Sequence, residues 1–205
     1  MFDRLLFVPR GLRRQAVECL ELRRGDSVLE IGCGTGNSLG SLHDAVGAEG
    51  HVYGVDISPR MLNKASARCA AEHWRNIELS ECDAGDYTAP TPLDGVLFAF
   101  SLNTMPHHRS VLRNAWDQLR PGGRIVITDA KLPSGPAAKL LLPFSLWLMR
   151  HTMLGNPLIQ PWNELAAIAE HVDMRKCRFD SYYICRAAKP LHAAQSDLAY
   201  RIAAE

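Results

Sequence analysis

Residues 28–36 read Val-Leu-Glu-Ile-Gly-Cys-Gly-Thr-Gly, an apolar strand closed by glycines on three alternate positions. A chain with this stretch is committed to a sharp strand-to-helix turn, because Gly32, Gly34 and Gly36 lack the Cβ that confines other residues to negative φ. The turn also leaves bare backbone against which a ligand can lie. The spacing is Glu-x-Gly-x-Gly-x-Gly. A dinucleotide-binding fingerprint runs G-x-G-x-x-G, and counted from Gly32 its sixth position here is Asn37. A pyrophosphate favours a helix N-terminus, whereas Glu30, set just before the turn, suits a ligand with a cationic end.

Around the turn, apolar strand-like runs alternate with helix-like stretches, the pattern of a parallel sheet covered on both faces. The runs are 27–31, 51–55, 77–81, 96–100 and 124–128, with helices expected over 37–46, 59–72 and 109–119. Pro59 suits the first turn of the second helix and Ser58 can cap it, with Met61, Leu62 and Ala65 on one face. Pro121-Gly122-Gly123 is expected to stop the third helix and turn the chain into the next strand. The last third holds a long apolar stretch over 140–154, a helix expected near 162–172, and strand-like pieces over 175–179 and 182–187 that fit a closing antiparallel hairpin. The tail over 191–205 reads as helical. At 205 residues and 47% hydrophobic content, one α/β domain over 1–205 is expected.

Charge narrows the partners. With 23 Lys and Arg against 22 Asp and Glu, nothing suggests a polyanion-binding surface, and nucleic acid is disfavoured. The six cysteines form no C-x-x-C pair and no zinc-like Cys/His spacing, so no metal is expected and reduced thiols in a cytoplasmic protein are the simplest reading. The arginine-rich N-terminus has no apolar run long enough for a signal peptide.

Four segments occur in a telling order: Glu30 to Gly36; Val52-Tyr53-Gly54-Val55-Asp56; Glu81-Cys82-Asp83-Ala84; and Leu119-Arg120-Pro121-Gly122-Gly123-Arg124. In these the chain resembles the class I S-adenosylmethionine-dependent methyltransferases, and within them it is most similar to those acting on ubiquinone and menaquinone precursors and on phospholipid head groups. The resemblance implies a doubly wound, Rossmann-like α/β fold with a seven-stranded, mostly parallel sheet in the order 3-2-1-4-5-7-6. It also implies S-adenosylmethionine as cofactor and S-adenosylhomocysteine as product.

Each motif has a physical reading beside that resemblance. Asp56 ends the second strand beside the glycine turn, where its carboxylate can accept both ribose hydroxyls; the plainer alternative is a cap for the helix at Pro59. Asp83 can accept a hydrogen bond from the adenine amino group, with Ala84 offering a backbone N–H to the ring, or it can be an ordinary turn aspartate. Ile57 and Met61 can sandwich the adenine or simply pack the core. Glu30, inside an apolar strand, needs a partner, either the ligand's ammonium group or nearby backbone amides. Cys33 reads as a small residue facing the cofactor rather than a nucleophile. Ser101, on the loop after the fourth strand, completes the cofactor set.

Methyl transfer limits the catalytic residues to seek. The donor's sulfonium is already an activated leaving group, so in-line displacement chiefly needs alignment, which alone can supply about 7–11 kcal/mol. A base helps only when the acceptor arrives protonated. Candidates are His107 and His108 after strand four and Asp129 after strand five; the alternatives are a solvated helix start for the histidines and a cap or salt bridge for Asp129. Ser101-Leu102-Asn103-Thr104 replaces the Asn/Asp-Pro-Pro-Tyr/Phe of amino-methyltransferases of DNA bases, which further disfavours nucleic acid.

The insert at about 132–160 carries a strongly apolar segment over 140–149, which Pro143, Lys139 and Arg150 make too short and broken to span a bilayer. In the family the chain resembles, this part covers the acceptor pocket, so the resemblance implies an apolar lid over a hydrophobic acceptor; the plainer reading is a helix buried against the sheet or in a subunit interface. Arg10, Arg13 and Arg14 near Phe2, Leu5, Leu6 and Phe7 can make a peripheral membrane contact or belong to a helix folded over the cofactor. The expectation is a monomeric or homodimeric enzyme that methylates a small-molecule or lipid acceptor. The alternative is a non-catalytic S-adenosylmethionine-binding or assembly protein.

Overall fold

A computed structural model of the chain describes residue 9 and residues 11–131, 159–177 and 181–191. Seven strands form one sheet: β1 (Ser27–Ile31), β2 (His51–Asp56), β3 (Ile77–Glu81), β4 (Leu93–Ala99), β5 (Leu119–Ala130), β6 (Val172–Cys177) and β7 (Tyr182–Ala188). Their order is β3-β2-β1-β4-β5-β7-β6, as the resemblance implies. Strands β1 to β5 are mutually parallel, and β7 lies antiparallel between β5 and β6.

Helices α1 (Leu12–Glu18), α2 (Leu39–Val46) and α3 (Pro59–Ala71) pack on one face; α4 (His108–Asp117), α5 (Pro161–Ala166) and the 3₁₀ turn Leu102–Thr104 pack on the other. Covering both faces requires the central strands to be apolar on both sides, and Val96, Leu97, Phe98 and Ala99 are all buried, alternating between the two cores. The edge strands differ. β6 reads Val-Asp-Met-Arg-Lys-Cys and alternates exposed charge with half-buried side chains, which discourages pairing with another chain.

Several boundaries depart from the expectation, each for a tertiary reason. α2 starts at Leu39 rather than at 37, because the turn that follows Gly32 continues to Ser38. β4 starts at Leu93 rather than at 96 and stops at Ala99, since Phe100 turns out of the strand with φ +61°. α4 ends at Asp117, ahead of the Pro-Gly-Gly, and β5 begins at Leu119 rather than at 124. Leu119 pairs with Leu93 and the next pairing is Arg124 with Gly95, so Pro121, Gly122 and Gly123 occupy a bulge inside the ladder rather than a turn before it. The end of α4 is instead capped from β7's side: Lys189 Nζ donates to the carbonyls of Trp116, Asp117 and Leu119 at 3.1, 3.1 and 2.9 Å.

Near the C-terminus, α5 is shorter than the expected 162–172 because Val172 already pairs with Ala187, and strand pairing overrides local helical tendency. The strand expected over 175–179 accordingly runs Val172–Cys177. Ser58 occupies the cap position of α3 but makes no side-chain cap; Asp56 Oδ1 accepts the Ser58 N–H at 2.9 Å instead. The apolar segment at 140–154, the tail beyond 191, residues 178–180, and the N-terminal group through Phe7 with Arg10 lie outside the described residues.

Candidate functional site

The chain winds outward from β1 to β3 and then returns to β4, so β1 and β4 flank the point where strand order reverses. Open α/β sheets bind ligands at that point, beyond the carboxyl ends of the strands. A cavity of about 430 Å³ opens there, within the size range of small-ligand sites.

The three glycines of the turn serve different ends. Gly32 has φ +71°, and a Cβ on it would fall 2.4 Å from Ser101 Cβ. Its bareness lets the loop after β4 close onto β1, where Ser101 Oγ donates to the Ile31 carbonyl at 2.6 Å. Gly34, at φ +56°, has nothing within 4 Å of a built Cβ and lines the cavity, so it presents open backbone to a ligand. Gly36 does not line the cavity; its Cβ would meet Leu39 at 2.8 Å and Ala65 at 3.3 Å, which makes it the glycine that lets α2 and α3 pack.

On the β2 and β3 side, Asp56 takes the capping role at the entry to α3 and also faces the cavity. Its Oδ2 accepts the Gly34 N–H at 2.8 Å and its Oδ1 the Ser58 N–H, yet it lines the cavity, and each carboxylate oxygen has a second acceptor site. Asp83 Oδ1 accepts the Gly85 N–H at 2.8 Å in a local turn, and Asp83 and Ala84 face the cavity. Met61 and Ile57 form apolar wall, Ile57 being 70% exposed. An apolar side chain this bare inside a cavity is best covered by the flat face of a ligand.

Two acids are buried at the carboxyl edge. Glu30 is 1% exposed, and neither carboxylate oxygen makes a hydrogen bond of normal geometry. Burial pushes its carboxyl from 4.5 up to about 7; the Arg13 guanidinium and the Ser38 hydroxyl oppose that rise, and the Asp56 carboxylate adds to it. Glu30 does not line the cavity directly. Asp129 does, though it is only 2% exposed. Burial lifts it from 3.8 to about 7 against hydrogen bonds from the Ala130 N–H (2.8 Å) and the Asn103 N–H (3.4 Å) and the charge of Arg13. Cys33 lines the cavity, and burial followed by the charges of Glu30 and Asp56 pushes its thiol up, away from nucleophilic use. Of the two histidines, exposed His107 lines the cavity; His108, the first residue of α4, does not.

Arg13, Phe100, Thr104 and Met105 also line the cavity and were not foreseen as cofactor or catalytic residues. Arg13 sits beside the buried face that Leu12, Ala16 and Val17 form on α1, and a lone arginine on an apolar helical stripe was the signal available. Its Nη1 donates to the Ala99 carbonyl at 3.1 Å and reaches Ser38 Oγ at 3.5 Å, and its guanidinium carbon lies 4.7 Å from the centre of the Phe100 ring. Of the arginines considered for a membrane surface, Arg13 is thus turned into the cavity, while exposed Arg14 pairs with Glu18 along α1.

Among the described residues no group of three His, Cys, Asp or Glu is placed to hold a metal, and no helix is long and apolar enough to cross a membrane. Open backbone at Gly34, the apolar wall at Ile57, acceptors at Asp56 and Asp83, and a buried acid behind the turn whose oxygens make no hydrogen bond of normal geometry fit a nucleoside with a cationic tail.

Comparison with known proteins agrees. The methyltransferase-domain family matches residues 22–202. A demethylmenaquinone methyltransferase of Listeria monocytogenes is 30% identical over 128 residues, 62% of this chain and 54% of the relative. An aklanonic acid methyltransferase of a Streptomyces species is 35% identical over 138 residues, covering 65% and 62%. The chain therefore spans about half the length of the first of these, 54%. Among solved structures, a phosphoethanolamine N-methyltransferase of Haemonchus contortus, in complex with phosphomonomethylethanolamine and S-adenosylhomocysteine, superposes with a TM-score of 0.73 at 17% identity, over 88% of this chain and 53% of that one. A S-adenosylmethionine-dependent methyltransferase of Aquifex aeolicus gives 0.66 at 19% identity, over 90% and 95%. At those identities the likeness is one of fold. Because the family match runs from ahead of β1 to past β7, this protein belongs to the methyltransferase-domain family, with the fold of the class I S-adenosylmethionine-dependent enzymes.

Proposed function

We propose that the chain, as a single methyltransferase domain, transfers a methyl group from S-adenosylmethionine to a small, apolar acceptor of the quinone-precursor kind. The observation that carries this reading is one continuous cavity that joins the adenosyl side, at Asp56, Ile57 and Asp83, to the buried acid Asp129 beside Phe100. When bound, S-adenosylmethionine supplies a methyl on a sulfonium, open to in-line displacement. The chain's own work is then positional. Asp56 accepts from the ribose, Asp83 from the adenine amino group, Ile57 and Met61 hold the ring, and Glu30 supplies negative charge behind the turn for the ammonium end. Asp129, facing the cavity with its carboxyl raised to about 7, is placed to take a proton from an acidic acceptor hydroxyl near neutral pH. His107 is the second proton acceptor on the cavity wall.

The relatives named for demethylmenaquinone and aklanonic acid support an acceptor of limited polarity, as does the apolar sequence at 140–149. A labelled-methyl assay against quinone precursors, phospholipid amines and a lipid extract tests the reading. Label in an apolar quinone-like product is expected. Label confined to aqueous products would refute the acceptor class, and S-adenosylhomocysteine binding without any turnover would favour a non-catalytic binding protein.

A further inference from the structure

We propose that Phe100 selects the methyl acceptor: its strained backbone clears the space in front of Asp129 and makes the ring one wall of a slot for a flat, aromatic alcohol. The inference deepens the acceptor reading above and rests on it. Phe100 has φ +61°, a left-handed conformation that is an outlier for a bulky residue and that glycine adopts freely. Such conformations persist where the surrounding structure enforces them, and they cluster at ligand sites. The Phe100 N–H still donates to the Thr128 carbonyl at 2.9 Å, so the backbone keeps its pairing with β5 up to that nitrogen and departs only beyond it.

What the departure achieves follows from strand alternation. Val96 and Phe98 belong to the core on the α4 face, Leu97 and Ala99 to the core on the α1 face. A regular continuation of β4 would therefore put Phe100 with Phe98, on the α4 face. Asp129 follows Ile125 and Ile127 on that same face, and because Ala99 pairs with Thr128, the next residues in register would be Phe100 and Asp129. The ring would then stand beside the carboxylate and fill the space in front of it. The positive φ carries it instead to the α1 face, where it packs against that core, meets the Tyr182 ring edge-on at 6.2 Å and lies under the Arg13 guanidinium. Phe100 and Asp129 both line the cavity, one from each face of the sheet, so an acceptor reaches the carboxylate past the ring. Among the described residues, Phe100 is the one Phe, Tyr or Trp that lines the cavity. An aromatic alcohol can stack on it while its hydroxyl meets Asp129, whereas a saturated ring of the same skeleton is thicker and offers no π face.

Calorimetry on the protein saturated with S-adenosylhomocysteine, with 2-naphthol and its saturated counterpart 2-decalol as probes, reads the assignment. Wild type should bind 2-naphthol the more tightly, and Phe100→Leu should cut that preference roughly 3- to 10-fold. A preference unchanged by the substitution would overturn the role of the ring. The strain has its own readout: Phe100→Gly should unfold at a higher urea concentration than Phe100→Ala, since both lose the ring but only alanine keeps a Cβ in the left-handed region. The reverse order would overturn the claim that the backbone is strained. Should Phe100→Leu not fold, wild type decides, because 2-decalol bound as tightly as 2-naphthol or more so would overturn the slot. A wild-type protein that bound S-adenosylhomocysteine but neither alcohol would overturn the acceptor reading itself, whatever the order of the glycine and alanine variants.

Discussion

Replacing Glu30 by glutamine should flatten part of this protein's response to pH. Folded, the carboxyl sits at about 7 against an ordinary 4.5, chiefly because it is buried. Below pH 4.5 it is protonated in both the folded and the unfolded chain and contributes no pH dependence. As pH rises from 4.5 toward 7 the unfolded chain ionises first, so the folded state loses stability; above 7 both are ionised and the loss is complete. The difference between the two values makes the whole effect on the order of 3 kcal/mol, most of which falls between pH 5 and pH 8. Glutamine keeps the shape and removes the titration, while Asp129, which titrates in the same range, contributes equally to both proteins. Urea denaturation of wild type and Glu30→Gln at pH 5 and pH 8 should therefore show wild type losing roughly 2–3 kcal/mol more than the mutant over that interval. Parallel pH dependence in the two would refute the argument that burial outweighs the help Glu30 receives from Arg13 and Ser38. A cationic ligand in the cavity would add favourable charge to this carboxylate behind the turn, so affinity for S-adenosylhomocysteine should also rise with pH in wild type and less so in Glu30→Gln.

The glycines should separate by mutation: Gly32→Ala, which drives a Cβ to 2.4 Å from Ser101, should destabilise the fold and abolish S-adenosylhomocysteine binding by calorimetry, whereas Gly34→Ala, with open space around it, should cost only about 1–2 kcal/mol of backbone strain in urea denaturation. Asp129→Asn should lower turnover roughly 100-fold or more in the labelled-methyl assay with S-adenosylhomocysteine affinity nearly intact, and unaltered turnover would shift the base role to His107. Lys189→Met, which strips three carbonyls at the end of α4 of their donor, should cost about 1–3 kcal/mol by urea denaturation and leave cofactor affinity unchanged.

Much of the cavity wall around the glycine turn was legible in the sequence because it is built from local chemistry. The Glu-x-Gly-x-Gly-x-Gly turn, Asp56 and Asp83 lie within a few residues of strand ends, and strand order follows from the family resemblance their sequence order carries. The glycines nevertheless looked equivalent when they are not, since only packing shows that Gly36 accommodates Leu39 and Ala65 while Gly34 faces open space. The Pro-Gly-Gly was misread as a helix stop because the cap that ends α4 comes from Lys189, some seventy residues later. β6 was set too late for a similar reason: pairing with β7 decides its start. Arg13 was read with its neighbours as a membrane contact or as part of a helix folded over the cofactor, and its particular partners Ser38, Ala99 and Phe100 lie too far along the chain to be seen from sequence.

Those partners also say something about how the domain comes into being. Arg13 and the Ala99 carbonyl are 86 residues apart, so α1 leaves the ribosome long before the strand end that receives it has been made. Contacts of such separation close late, after the loop entropy between them has been overcome. The glycine turn and β2 can form early from neighbouring residues, but the wall at Phe100 is complete only when the first helix folds back onto the fourth strand. The nascent chain would then complete the β2 side of the cavity before the β4 side. A ligand present during folding would act chiefly on that last docking step.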